Sequence, residues 1–182
     1  MGWPSCGKIS TAEAEALLAQ DPQHRDCLFP YLNGEDLNSR PDQSPSRWVI
    51  NFHDWPLDRS AEECWADADD ARRKEWLKAG HVPADYPGSV AADYPLLLAI
   101  VEERVKPQRA ESKGANYRDR WWRFAESCPG LCASIEGMKR GFGASAHCQA
   151  QQYGFLRSRH CIERYDGCAC CSRPGYMLGG PE

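Results

Sequence analysis

Long apolar runs are missing from this 182-residue sequence, and so is the pattern of a secretory signal. No stretch approaches the roughly 18 apolar residues that a membrane-spanning helix needs. The residues from Met1 to Gly7 do not place a basic stretch before an apolar one. We therefore predict a protein without a signal peptide, located in the cytoplasm.

Excess positive charge is also missing, because 22 Lys and Arg residues face 26 Asp and Glu residues. The net charge of -4 argues against a dedicated basic nucleic-acid-binding module. The charge is uneven, however. Residues 58–75 are rich in acidic side chains, whereas residues 104–123 carry Arg104, Lys106, Arg109, Lys113, Arg118, Arg120 and Arg123.

Cysteines are scarce before residue 128 and crowded after it. Cys6, Cys27 and Cys64 come first, and the other seven of the ten are Cys128, Cys132, Cys148, Cys161, Cys168, Cys170 and Cys171. Without a secretory signal, this placement argues against a disulfide framework. An alternative prediction, a small cytoplasmic zinc-binding interaction module, rests on His147, Cys148, His160, Cys161, Cys168, Cys170 and Cys171. Their spacing lacks the two Cys-x-x-Cys pairs of a standard zinc site.

Local patterns predict an α+β chain, since a hydrophobic fraction of 42% can support a core. Ser10 and Glu13 form a capping-box pattern before an alanine-rich helix, which Asp21 and Pro22 end. Residues 26–32 and 47–52 read as strands, with Asn33-Gly34 as a turn and 39–45 as a loop. In the second strand, Trp48, Ile50 and Phe52 are expected on one face, and Val49 and Asn51 on the other. Helices are predicted over residues 58–79, 92–105, 116–126 and 129–139, with 81–88 as a connection and Pro107 as a helix end.

Five short blocks occur in a recognisable order. They are Leu28–Asn38 (LFPYLNGEDLN), Arg47–Phe52 (RWVINF), Val105–Arg109 (VKPQR), Trp121–Phe124 (WWRF) and Ile135–Met138 (IEGM). Over about residues 10–140, this set resembles the target-recognition region of MmeI-like (type IIL) restriction-modification enzymes and related adenine-specific DNA methyltransferases. The resemblance implies docking on double-stranded DNA beside a domain that methylates adenine N6 with S-adenosylmethionine. A base modified in this way must leave the duplex stack.

The motifs that would carry such chemistry are absent from the sequence. It contains no Asn-Pro-Pro-aromatic motif, no glycine-rich cofactor loop after a strand and no nuclease-type acidic cluster. Gly141-Phe142-Gly143 follows a predicted helix instead of a strand, so it is a poor cofactor loop. We therefore expect a fragment that is inactive alone, with no catalytic, cofactor-binding or metal-binding residue. S-adenosylmethionine would be bound by the parent enzyme.

The resemblance implies three segments. Residues 1–57 correspond to the end of the methyltransferase core and the first strands of the recognition region. Residues 58–140 correspond to its helical part, and residues 141–182 form a Cys-rich tail that we expect to be irregular or disordered. The tail can be back-translated into permitted codons and one G removed at the Arg140–Gly141 junction. The shifted frame can then encode an alternating, strand-like sequence similar to the family's continuation. We therefore hypothesise that the tail is out of frame.

Lys106, Arg109, Arg118, Arg120 and Arg123 are the candidate DNA-binding residues, since Lys and Arg contact phosphates. The alternative is a solvated basic face balanced by the acidic segment. Trp121 and Trp122 are adjacent, so at most one can stack on a base while the other packs inward. Asn33 to Asp36 is interpreted as a turn with a positive φ at Gly34, and His53 as a surface residue.

Overall fold

The computed structural model describes residues 7–32, 34–42, 44–124, 140–144, 153–157 and 161–162. Its contacts divide the chain into two units. One comprises Met1–Leu28 and Val49–Ala125, and the other comprises Phe29–Trp48 and Glu126–Glu182. The segment boundaries at residues 57 and 140 stay a prediction. The mixture of helices and short strands confirms the predicted α+β class.

The first unit begins with strand β1, Lys8–Ser10, and helix α1, Thr11–Gln20. The predicted capping box is confirmed: the Glu13 N–H donates to Ser10 Oγ at 3.2 Å, and the Ser10 N–H donates to Glu13 Oε2 at 2.9 Å. Asp21 ends the helix in an extended conformation, as predicted. Its carboxylate accepts the Gln23 N–H at 2.9 Å and so begins a 3₁₀ helix, Pro22–Asp26.

The end of strand β3, Arg47–Ile50, belongs to the core of this unit. The Ile50 N–H donates to the Gly7 carbonyl at 3.3 Å, and the Asn51 N–H donates to the Cys27 carbonyl at 2.9 Å. Val49, Ile50 and Phe52 are all buried. The expected alternation of an inner and an outer face is therefore wrong here, because both faces of the strand end are covered.

The helix predicted over residues 58–79 forms only in its last ten residues, as α3, Asp70–Ala79. Residues Asp58–Ala61 are instead strand β4, which pairs in parallel with β5, His81–Pro83, inside the predicted connection. The Asp69 carboxylate accepts the Arg72 N–H at 2.7 Å, which fixes the helix start at an N-cap that the prediction overlooked. Trp76, Val82 and Val90 form the hydrophobic cluster beside this ladder.

The C-terminal helices of the unit carry the candidate site. A 3₁₀ helix, Ala91–Asp93, leads into α4, Pro95–Arg104, which confirms most of the helix predicted over residues 92–105. The spacing predicted an inner face of Leu97, Ile100, Val101 and Val105; Leu97, Val101 and Val105 are buried, whereas Ile100 is only half-buried. Helix α5, Lys106–Ala110, follows at once with Pro107 in its first turn, where a missing N–H costs nothing.

Helix α6, Ala115–Asp119, is shorter than the helix predicted over residues 116–126. Residues 120–123 form turns and a bend after it. The helix predicted over residues 129–139 lies outside the described residues.

The second unit contains β2, Leu28–Leu32, from residue 29 onward, the first half of β3, and helix α2, Gly34–Ser39. The turn predicted at residues 33–36 is wrong, because Gly34 is the first residue of α2. Asp36 is buried and accepts the Ser46 N–H at 3.3 Å. Acidic residues at the start of a helix are favourable because its N-terminus is partly positive. The predicted loop at 39–45 is confirmed after Ser39, and Arg40 donates to the Ser44 hydroxyl at 2.8 Å.

Three short strands belong to the tail for which irregular structure was expected. Strand β6, Arg140–Ala144, pairs antiparallel with β7, Tyr153–Arg157, and β8, Cys161–Ile162, pairs in parallel with β2. The expectation therefore does not hold at these strands, and the rest of the tail lies outside the described residues. Among the described helices, none combines the length and the apolar character needed to cross a bilayer.

Candidate nucleic-acid interface

The five basic residues predicted to contact DNA lie on α5, on α6 and in the turn after α6. Lys106 and Arg109 belong to α5, Arg118 belongs to α6, and Arg120 and Arg123 lie in the turn. Helices α5 and α6 contact each other. The structure thus brings all five residues into one region of the first unit, although their side chains have different environments.

Arg109 points into the protein, with only 4% of its surface exposed. Its Nη1 donates to the carbonyls of Arg120 at 3.3 Å, Trp121 at 2.9 Å and Arg123 at 2.5 Å. Carbonyls at the end of a helix lack intrahelical partners, and a guanidinium offers several donors in a fixed plane. The expected surface position of Arg109 is therefore wrong, because the chain folds around its guanidinium.

The two adjacent tryptophans divide as predicted, one inward and one toward the surface. Trp122 is buried, and its Nε1–H donates to the Trp55 carbonyl at 3.0 Å. Trp121 is half-buried. The two rings meet edge to face, with centroids 6.1 Å apart and an interplanar angle of 80°. The buried ring therefore supports the ring that remains partly accessible.

Lys106 lies over the partly accessible ring. Its Nζ is 4.7 Å from the Trp121 ring centroid, within the range of a cation–π interaction. The same ammonium donates to Glu102 Oε1 at 2.7 Å, one helical turn earlier. About half of the Lys106 side chain (47%) remains exposed. A cation and an aromatic ring thus share one accessible patch.

Arg118 and Arg120 add two further cations to this region. Arg118 is exposed, and its Nη1 donates to the Ser112 carbonyl at 2.7 Å. That bond uses only part of the guanidinium, which has five donors. Arg120 is half-buried, and its backbone N–H donates to the Asn116 carbonyl at 3.3 Å, at the end of α6. Both residues keep part of their surface exposed to solvent.

Arg123 packs against the protein instead of extending from it. Its Nη2 donates to the Leu77 carbonyl at 3.0 Å, and its guanidinium carbon is 5.7 Å from the Trp122 ring centroid. Burial lowers the pKa of Arg123 below its ordinary value, and the nearby Arg120 charge acts in the same direction. Its Nε is buried and meets no acceptor among the described residues. These contacts assign Arg123 mainly to packing.

The acidic segment at 58–75 supplies its own counter-charges. Arg72 pairs with Glu63 and, at 2.6 Å, with Glu75, while Arg73 is 3.8 Å from Asp70. These pairs occupy part of the acidic charge within the segment itself. The alternative in which this segment balances the basic helix face therefore receives no support from these contacts.

A Ser-His-Asp group that the sequence reading missed lies on the β4–β5 ladder. Ser60 Oγ donates to Asp58 Oδ1 at 2.5 Å, and His81 Nδ1 is 2.8 Å from the same carboxylate oxygen and 3.1 Å from Ser60 Oγ. A hydrolytic triad needs the serine on one ring nitrogen of the histidine and the carboxylate on the other. Here both partners lie at Nδ1, so the group is not arranged as a triad.

Metal ligands do not cluster in the described part of the chain, where no group of three or more His, Cys, Asp or Glu side chains could hold an ion. The Cys/His group behind the zinc alternative falls in the tail. Only the backbone of Cys161 is described there, and the rest of the group lies outside the described residues. His53 is exposed, as predicted, with a φ of 52° that the sequence did not indicate.

Comparisons with family models, curated proteins and solved structures return no match for this chain.

Proposed function

We propose that this chain docks double-stranded DNA as part of an adenine-N6-specific DNA methyltransferase or an MmeI-like restriction-modification enzyme. The observation that carries the proposal is the Lys106 ammonium, 4.7 Å from the half-buried Trp121 ring, in the same region as Arg118 and Arg120. We call Lys106, Arg118, Arg120 and Trp121 the docking patch. The resemblance of about residues 10–140 to a target-recognition region also supports the proposal.

The chemistry of the docking patch suits a polyanion. Lys and Arg side chains contact phosphates and position a protein on the duplex without reading its sequence. An accessible indole adds a flat apolar surface for a sugar or an exposed base. The Glu102 carboxylate beside Lys106 weakens the patch by a single charge, but a phosphate can replace it because the pair is solvent-exposed.

The reaction itself would reside elsewhere in the enzyme, since the sequence lacks an Asn-Pro-Pro-aromatic motif and a cofactor loop. S-adenosylmethionine would be bound by the part that carries those motifs. This chain alone is expected to bind DNA weakly and to transfer no methyl group. A cytoplasmic location fits such a role and belongs to the same proposal.

Salt-dependent DNA binding tests the proposal. Fluorescence anisotropy with a labelled short duplex measures the dissociation constant between about 50 and 200 mM salt. Three phosphate contacts predict a slope of log affinity against log salt of about -2.7, or about 40-fold weaker binding over that range. The triple variant Lys106→Gln, Arg118→Gln and Arg120→Gln should reduce the slope to near zero.

A matched control separates the patch from net charge. Arg25, Lys74 and Lys78 are exposed basic residues outside the patch, and changing all three to Gln removes the same charge. This control should retain most of the wild-type slope. Equal losses in both triple variants, or absent wild-type binding, would contradict the proposal. Stoichiometric zinc lost on changing Cys168 and Cys171 would favour the interaction module instead.

A further inference from the structure

We propose that Arg109 is a positioning residue of the docking patch, which it serves by holding the turn that carries Arg120 and Trp121. This inference rests on the proposed function, since it names how one half of the patch is held in place. Arg109 would touch no DNA itself. Its guanidinium would act only through the backbone of the turn.

The hydrogen bonds of Arg109 are the first observation that supports a positioning role. One nitrogen, Nη1, donates to the carbonyls of Arg120, Trp121 and Arg123. These three carbonyls belong to the turn after α6, in which the Arg120 N–H donates to the Asn116 carbonyl at 3.3 Å and the Arg123 N–H to the Arg120 carbonyl at 3.1 Å. A charged donor shared among carbonyls forms stronger hydrogen bonds than a neutral one. Arg109 therefore adds three charged hydrogen bonds to the two backbone bonds of the turn itself.

The burial of Arg109 is the second observation that supports a positioning role. Arg109 is 4% exposed, so a phosphate could reach its guanidinium only if the turn opened. The turn is also held from its other side, because the buried Trp122 ring donates to the Trp55 carbonyl at 3.0 Å. Between these two anchors, Trp121 is left half-exposed with Lys106 over its ring. Burial therefore favours a positioning role for Arg109 over direct contact with a phosphate.

The other cations of the patch, Lys106 and Arg118, each have a hydrogen bond outside this turn. Lys106 is the first residue of α5 and bonds to Glu102 one turn earlier. Arg118 lies within α6 and bonds to the Ser112 carbonyl. Loosening the turn should thus disturb Arg120 and Trp121 while leaving Arg118 in place. This asymmetry gives Arg109 a signature that a residue acting only on overall stability would lack.

The experiment is a double-mutant cycle built on Arg109→Lys, which keeps the charge but loses the planar set of donors. In the wild-type background, Arg120→Gln and Arg118→Gln should each lower the salt slope of duplex binding by about one. In the Arg109→Lys background, Arg120→Gln should change the slope no further, whereas Arg118→Gln should still lower it by about one. Additive effects for both residues would overturn the inference.

Two further measurements decide the remaining cases. If Arg109→Lys fails to fold, arginine side-chain NMR of the wild-type chain with duplex DNA replaces the cycle. Signals of Arg120 should shift while the Arg109 guanidinium stays protected from exchange, and a larger shift at Arg109 would overturn the inference.

If wild type binds no DNA, the proposed function fails by itself. Exchange of the Trp122 indole hydrogen in Arg109→Lys then tests the positioning step: faster exchange supports it, and unchanged protection overturns it.

Discussion

The Trp122 ring lies directly against Gly80, so closely that a Cβ atom at Gly80 would be 2.4 Å from the ring atom Cη2. Gly80 also has a φ of 89° and ends helix α3 in the left-handed conformation. Its carbonyl accepts the N–H of Leu57, the residue before β4, at 2.6 Å. One glycine therefore joins the end of α3, the β4–β5 ladder and the buried half of the tryptophan pair.

Gly80→Ala should be strongly destabilising for two separate reasons. A left-handed conformation costs a non-glycine residue about 1–2 kcal/mol, and overpacking a core site costs about 1–3 kcal/mol. We expect a loss of about 2–5 kcal/mol in the free energy of unfolding, measured by urea denaturation. The matched control is Gly114→Ala, which has a negative φ of -83° and would meet only the exposed Tyr117 ring. Equal losses in the two variants would contradict this account.

Local sequence patterns predicted the parts of the fold that depend on neighbouring residues. The capping box at Ser10 and Glu13 and the helical period of Leu97, Val101 and Val105 are confirmed, because both patterns act within about one or two turns. Strand β4 was missed because its partner is distant in sequence, with Asp58 paired to His81 and Ala61 to Pro83. Charged residues such as Asp58 also carry little strand propensity.

The sequence predicted where the basic residues of the candidate site lie, but it did not predict the role of each one. Basic side chains between residues 106 and 123 do lie in one region, but sequence spacing could not show that Arg109 is buried. Its role depends on carbonyls 11 to 14 residues later, which no helical period connects to it. The only local hint was its position in α5 one helical turn after the buried Val105.

Adjacent positions 121 and 122 should respond differently to the same substitution. Trp122→Phe removes the hydrogen bond to the Trp55 carbonyl and leaves space against Gly80, so we expect a loss of about 2 kcal/mol. Trp121→Phe changes a half-exposed ring and should cost less than about 1 kcal/mol. Urea unfolding of both variants provides the measurement. A larger loss at position 121 would contradict the assignment of the inward ring.

Acid should weaken the start of α1 through Glu13. The Arg104 guanidinium, 2.8 Å away, together with the Ser10 N–H and hydroxyl, lowers the pKa of Glu13 to about 2 from its ordinary 4.5. Since the folded form binds its proton less readily, this contribution is present above pH 4.5 and is lost as the pH falls towards about 2. Its size should be modest and should shrink with salt, because both side chains are more than 40% exposed.

Comparing Glu13→Gln with wild type isolates that contribution. The difference in the free energy of unfolding between the two proteins should be largest above pH 4.5 and should narrow as the pH falls below it. Glu15→Gln is the control, since Glu15 is an exposed residue of the same helix outside the capping box. A difference that stays constant with pH would show that the Glu13 charge does not stabilise the helix start.

Cys64 should be a slow nucleophile despite its exposure. Its Sγ–H donates to Asp85 Oδ2 at 3.0 Å, and this bond to a carboxylate raises the pKa of the Cys64 thiol. The carboxylate is itself fixed by the Trp65 N–H at 2.7 Å and the Ala66 N–H at 3.0 Å. These bonds, chiefly the one from Trp65, lower the pKa of Asp85 to about 2, so it remains charged at neutral pH. Since the thiolate is the reactive form, alkylation should be slow.

Asp85→Asn should therefore speed alkylation of Cys64 several-fold near neutral pH, because the thiol loses its anionic neighbour. Iodoacetamide labelling read at the Cys64 peptide by mass spectrometry gives the rate, and its pH dependence gives the thiol pKa. Asp70→Asn, at the first residue of α3, makes the same chemical change elsewhere and should leave the rate unaltered. Cys27 is buried and has its pKa raised to about 12, so it reports on unfolding. Faster labelling of both cysteines would indicate a loosened fold, whereas faster labelling of Cys64 alone with a lower thiol pKa would establish the carboxylate effect.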